Sequence, residues 1–66
     1  MARIVQSYRF GPHRVEVVEY PDDDGGGFVL VVTDGTVITE APLAETPTLE
    51  DVVRVYAQWR ERVEAR

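Results

Sequence analysis

His13 is the one side chain of this sequence that titrates near neutrality, so acid–base chemistry at pH 7 would have to begin with it. It follows Gly11-Pro12 beside a turn, with no acid or nucleophile at a spacing that would fix its ring. Ser7, the sole serine, sits inside an alternating strand pattern and lacks the elbow and base that activate a hydroxyl. Glu16 and Glu19 fall on opposite faces of an extended strand and form no acid–base pair. Asp22-Asp23-Asp24, followed by Gly25-Gly26-Gly27, invites a calcium reading and a phosphate reading. An EF-hand loop alternates its acids and closes on a bidentate Glu at its twelfth position, where this chain has Thr33. A phosphate cradle opens a helix, whereas here the glycines follow three repelling acids and lead into a strand. With no cysteine and one histidine, disulfides, thiolate chemistry and a structural zinc site lack their ligands. The expectation is therefore no catalytic residue, no cofactor and no metal, with a divalent-cation loop at Asp22–Asp24 kept as an alternative. A chain this short is also expected to leave little room for a pocket of the ~300 Å³ typical of ligand sites.

Those residues must be held by something, and length and composition limit what. Sixty-six residues make one domain, 1–66, with a small core and marginal stability. The net charge is −5, from twelve acids against seven cationic residues, all arginine. An acidic surface disfavours nucleic acid and anionic membrane and suits a basic protein surface. Arginine without lysine, alongside abundant Val, Ala and Gly, fits a GC-rich bacterial genome. No apolar run approaches the ~20 residues that span a bilayer, and no signal-peptide pattern is seen, so a cytoplasmic location is expected.

Ile4 to Phe10 and His13 to Tyr20 alternate as strands, joined by a two-residue Gly11-Pro12 hairpin that pairs Tyr8 with Val15 and Gln6 with Val17. Ile4, Tyr8, Phe10, Val15 and Val17 then share one face; Val5, Ser7, Arg9, Arg14, Glu16 and Val18 share the other. Pro21 to Gly27 reads as a loop. Phe28 to Thr33 is a third strand, apolar on both faces. Asp34-Gly35 signals a second tight hairpin, pairing Val32 with Val37 and Val31 with Ile38, so that a fourth strand begins at Thr36 and ends at Glu40 or Ala41. Thr48 with Asp51 reads as a capping box at the start of a helix running to Arg66, Thr46 with Pro47 at the first helical position being an equally lawful start, with acids early, arginines late and Glu50 four residues before Arg54. Its apolar stripe centres on Leu49, with Val52, Val53, Tyr56 and Val63 close by, Trp59 on one flank and Val55 beyond. The predicted fold is α+β: a four-stranded antiparallel meander with one C-terminal helix packed on one face, β-β-β-β-α.

One helix covers one face of a sheet. Phe28, Leu30, Val32 and Val37 are assigned to one face, and Val29, Val31 and Ile38 to the other. An uncovered apolar face marks an interaction site. The candidate contact residues are therefore Val29, Val31 and Ile38 on the sheet, with Val55 and Trp59 on the second apolar edge of the helix, Trp being enriched at binding hot spots.

From Glu19 onward the chain resembles HicB-like antitoxins. Glu19-Tyr20-Pro21-Asp22-Asp23-Asp24-Gly25-Gly26-Gly27-Phe28-Val29 is similar to that family's strand, acidic-Gly hairpin and aromatic-led strand, and Thr46-Pro47-Thr48-Leu49-Glu50-Asp51-Val52 is similar to its T-x-E-E-A helix entry. The resemblance implies a unit that neutralises a small basic RNase toxin. The chain departs from the family where Thr33-Asp34-Gly35 replaces a Pro-Gly-Cys-like segment, where an extra strand pair precedes the match, and where no DNA-binding segment follows. Size, charge and a sheet-then-helix plan are also similar to MbtH-like proteins, acidic accessories of peptide-synthetase adenylation domains, without their Ser-Leu-Trp-Pro-like motif. The functional expectation is a non-enzymatic interaction module. It would self-associate as a homodimer or dock on a basic protein as a regulator.

Overall fold

The computed structural model describes residues 1–64 and is α+β. Strands β1 (Arg3–Phe10), β2 (His13–Glu19) and β3 (Phe28–Val32) form one antiparallel sheet in the order β1-β2-β3, and helix α1 (Leu49–Glu64) follows. The sheet has three strands, not the four expected, and the helix side covers a core of Val15, Val17, Phe28, Leu30, Val32, Ile38 and Val52.

The first hairpin pairs Phe10 with His13, Tyr8 with Val15 and Gln6 with Val17, the register that a two-residue turn dictates. Beyond Gln6 the register slips: Ile4 pairs with Val18, and Val5 is an extra residue on β1. Such a bulge re-aims the side chains beyond it. Val5 therefore packs against the core while Ile4 turns outward at 58% exposure, reversing the expected assignment of the two.

The second hairpin explains the missing strand. Gly35 N–H donates to Val32 O (2.8 Å), Val32 N–H donates to Thr36 O (3.0 Å), and Asp34 Oδ1 accepts the Thr36 N–H (2.9 Å). The loop is thus three residues long, Thr33 to Gly35, with Gly35 at φ +91, and not the two-residue turn expected. One added residue shifts the pairing by one, to Val31 with Val37, and a one-residue shift exchanges the faces. Ile38 enters the core at 2% exposure and Val37 stands outside at 53%. The segment then meets β3 at only two places. Ile38 N–H donates to Leu30 O, and Leu43 and Phe28 exchange both of their backbone bonds. Two residue steps on β3, Leu30 to Phe28, face five on the returning chain, Ile38 to Leu43, so Thr39 to Pro42 must loop out. The result is a strap along the β3 edge. Gly27 lets it close, since a Cβ there would sit 3.0 Å from Pro42 Cβ.

Thr48 and Asp51 cap α1 reciprocally: Asp51 N–H donates to Thr48 Oγ1 (3.2 Å) and Thr48 N–H donates to Asp51 Oδ2 (2.9 Å). Arg54 pairs with Asp51 at 3.1 Å, not with Glu50. The helix lands with Val52 fully buried and Val55, Tyr56 and Trp59 against the core, while Leu49 (55%), Val53 (45%) and Val63 stay exposed. The stripe is centred on the line 52–56–59, whose two aromatic rings offer more apolar area than Leu49 and Val53. The expected extension of the helix to Arg66 lies outside the described residues.

Candidate functional site

Three places gather chemistry. The first surrounds His13. The tight turn sets His13 opposite Phe10 on the helix side of the sheet. Tyr56, Trp59 and Arg60, at helical spacings, reach the same spot. His13 Nδ1 lies 2.8 Å from Tyr56 Oη, Arg60 Nη1 donates to that hydroxyl at 3.2 Å, and the hydroxyl reaches Phe10 O at 3.4 Å. Tyr56 stacks on Phe10 with centroids 4.8 Å apart, and Trp59 meets the His13 ring edge-on at 5.4 Å. Hydrogen bonding to Glu64, and then to Tyr56, holds the Arg60 guanidinium still more firmly protonated than usual. His13 is thus embedded in a polar-aromatic joint between α1 and the first hairpin. The chain signals that joint only through aromatics at positions 10, 56 and 59, because contacts 43 residues apart leave no local pattern. The chemistry available is hydrogen-bond exchange among His13, Tyr56 and Phe10 O, in which the phenol accepts from Arg60, donates to Phe10 O and exchanges a bond with His13 Nδ1 whose direction the imidazole tautomer sets.

The second place is an open cleft of about 640 Å³ between α1 and the strap, walled by Ile38, Leu43 and Val55 and edged by Thr39, Gln58 and Arg62. It corrects the expectation that so short a chain has no hollow of ligand size. Arg62 spans its mouth, bonding Glu40 at 2.7 Å and Ile38 O at 3.1 Å. These bonds close part of the cleft on the protein's own groups.

The third place is the sheet face turned away from α1. Ile4 pairs with Val18 and Val18 with Val29; Glu16 pairs with Ser7 and Val31, and Val31 with Val37. Ile4 and Val37 are more than half exposed, Val18, Val31 and Tyr20 are half-buried, and Val29 is 7% exposed. Val29 is sheltered by the 20–27 loop and Pro42, which with Val37 wall a hollow of about 390 Å³ rimmed by Asp24. At the far end of the face Arg9 stands directly opposite Arg14, both exposed. Neither makes an ion pair among the described residues, whereas Arg3, Arg54, Arg60 and Arg62 all do. The outer face therefore has a middle in which Ile4, Val18, Val31 and Val37 flank Ser7 and Glu16, a cationic end at the first hairpin and Asp24 at the other end.

Of the residues assigned to a contact surface from sequence, Val29 and Val31 lie on this outer face. Ile38 does not: it is buried among the core residues, and Val37 occupies the place expected for it. Val55 and Trp59 are half-buried and pack on the core from α1. Ile4, Val37, Leu49, Val53 and Val63, all expected toward the core, are exposed, the first two because their exposure depends on a bulge and a loop length. Asp22–Asp24 form a single 3-10 turn, and among the described residues no three His, Cys, Asp or Glu side chains converge as a metal site requires. No described helix is long and apolar enough to cross a membrane.

No family model, curated protein or solved structure matches this chain.

Proposed function

We propose that this chain is a protein-interaction module that works by contact through the outer face of its sheet and not by catalysis. The observation that carries the reading is the uncovered apolar middle of that face, with Ile4 at 58% and Val37 at 53% exposure on either side of Val18 and Val31. Apolar surface of this kind, edged by charge, gains free energy when a partner removes it from water. The net charge of −5 adds a preference for partner surfaces that present cations.

A photo-crosslinking side chain placed at position 37, in the host cell, tests the reading. The expected result is one discrete adduct from position 37 and none from the same probe at position 49 on the exposed helix line. Capture from 49 alone, or from neither, overturns it.

A further inference from the structure

Resting on the reading that the outer face is a contact surface, we infer that its occupant is a second copy of this chain, laid face to face with its strands reversed. The charges carry the argument. Arg9 and Arg14 face each other across β1 and β2, and like charges in that relation repel unless an anion comes between or against them. Among the described residues none pairs with either. The other end of the same face carries Asp24 at the rim of the hollow of about 390 Å³, in an exposed turn with Asp22 and Asp23, its one ion pair being with the fully exposed Met1 ammonium at 3.8 Å.

A two-fold axis running across the strands, midway along β2, turns the cationic end of one copy onto the acidic end of the other, twice. An axis running along the strands would set arginine on arginine. The symmetry therefore selects the reversed arrangement, and a contact built this way is self-complementary, as a closed pair requires. The level of Arg14 on β2 and the level of Tyr20, one residue past its end, are six residues apart, about 20 Å at ~3.3 Å per residue, and the two-fold maps each onto the other. Val31 of one copy then lies over Val29 of the other and Glu16 over Val18, so the Glu16 carboxylate sits inside the contact, two residues from Arg14 on the same face. Arg14 of the second copy meets the hollow. Its guanidinium lies over the Tyr20 ring and against Asp24. Arginine suits such a site because its planar cation both stacks on an aromatic face and bonds a carboxylate. A standard interface takes about 800 Å² from each partner, roughly a sixth of the 4599 Å² surface of this chain, which one sheet face with its flanking loop can supply.

Charge exchange tests this. One variant carries Arg9→Glu and Arg14→Glu, the other Asp23→Arg and Asp24→Arg; all four positions are exposed, and circular dichroism checks that the fold persists. Sedimentation equilibrium is expected to show a monomer–dimer equilibrium for the wild type and at least tenfold weaker association for each variant alone. An equimolar mixture of the two variants restores dimers, because both of its end contacts again join opposite charges. A wild type that is monomeric up to millimolar concentration, variants that pair as well as wild type, or a mixture that stays monomeric each overturns the inference. In those cases an adduct from position 37 to a different protein leaves the contact-surface reading standing, whereas no adduct from position 37 removes both.

Discussion

At the scale of single residues, Tyr56 does two jobs that can be separated. Its ring stacks on Phe10 in the core, and its hydroxyl joins His13, Arg60 and Phe10 O. Tyr56→Phe keeps the first and removes the second, and is expected to cost about 1 kcal/mol in urea unfolding. Tyr56→Ala removes both and should cost about 3 kcal/mol, near the lower end for losing a large core ring, since Tyr56 is only half-buried. A cost for Tyr56→Phe indistinguishable from zero would mean that the joint is held by packing alone. Asp51 is a second separable case. The Thr48 backbone N–H, and then its hydroxyl, hold its carboxyl below the usual carboxylate range. Asp34 is lowered in the same direction by the Thr36 hydroxyl and then the Thr36 N–H. A carboxylate whose folded pKa is depressed contributes stability above its unfolded value, about 3.9, and loses it as pH falls through the folded value. Stability should therefore decline on acidification below about pH 4. Asp51→Asn should flatten that decline in denaturant melts at successive pH values, and an unchanged slope would assign the acid sensitivity elsewhere.

At the scale of elements, the hairpin after β3 is the sharpest test of the register. Ile38 in the core and Val37 outside predict that Ile38→Ala costs about 2–5 kcal/mol while Val37→Ala changes stability by less than about 0.5 kcal/mol. A two-residue turn would reverse that order, so one pair of melts decides between them. The same hairpin shows which parts of the fold are legible in the residues. The Gly11-Pro12 turn and the Thr48–Asp51 cap are local: their partners lie within four residues, and the chain states them directly. Asp34-Gly35 also states a turn, but whether two or three residues close it depends on which of Val37 and Ile38 fits between Leu30 and the helix, a question of packing. Val5 is similar. Nothing in Ile4-Val5-Gln6 announces a bulge, which forms because Val5 finds the core and Ile4 does not. The helix was legible in type, and its start to within two residues, but not in azimuth, because Leu49 and Tyr56 compete for the sheet and the larger ring wins. The outer face was legible as a surplus of apolar residues for one helix to cover. Its membership was not, because both slips exchanged neighbours across the sheet.

At the scale of the whole molecule, sixty-six residues around a core cluster of seven side chains make stability marginal and sensitive to anything that binds only the folded state. If two folded copies pair, mass action links the melting temperature to concentration. A hundredfold rise in protein should raise it by several degrees, with no such rise in the Arg9→Glu, Arg14→Glu variant. Scanning calorimetry at two concentrations reads this, and coincident melts for the wild type would argue against pairing. The edges of the sheet bear on what kind of assembly is open to such a chain. The strap occupies the β3 side, and β1 has no neighbour beyond it among the described residues. An eight-residue strand with unsatisfied N–H and C=O groups is a template on which further strands could be added without end. The extra residue at Val5 bends that template a third of the way along, so an incoming straight strand loses its ladder there. A kink that misplaces two side chains thus also bears on growth: the route by which molecules would knit edge to edge into a fibre is interrupted.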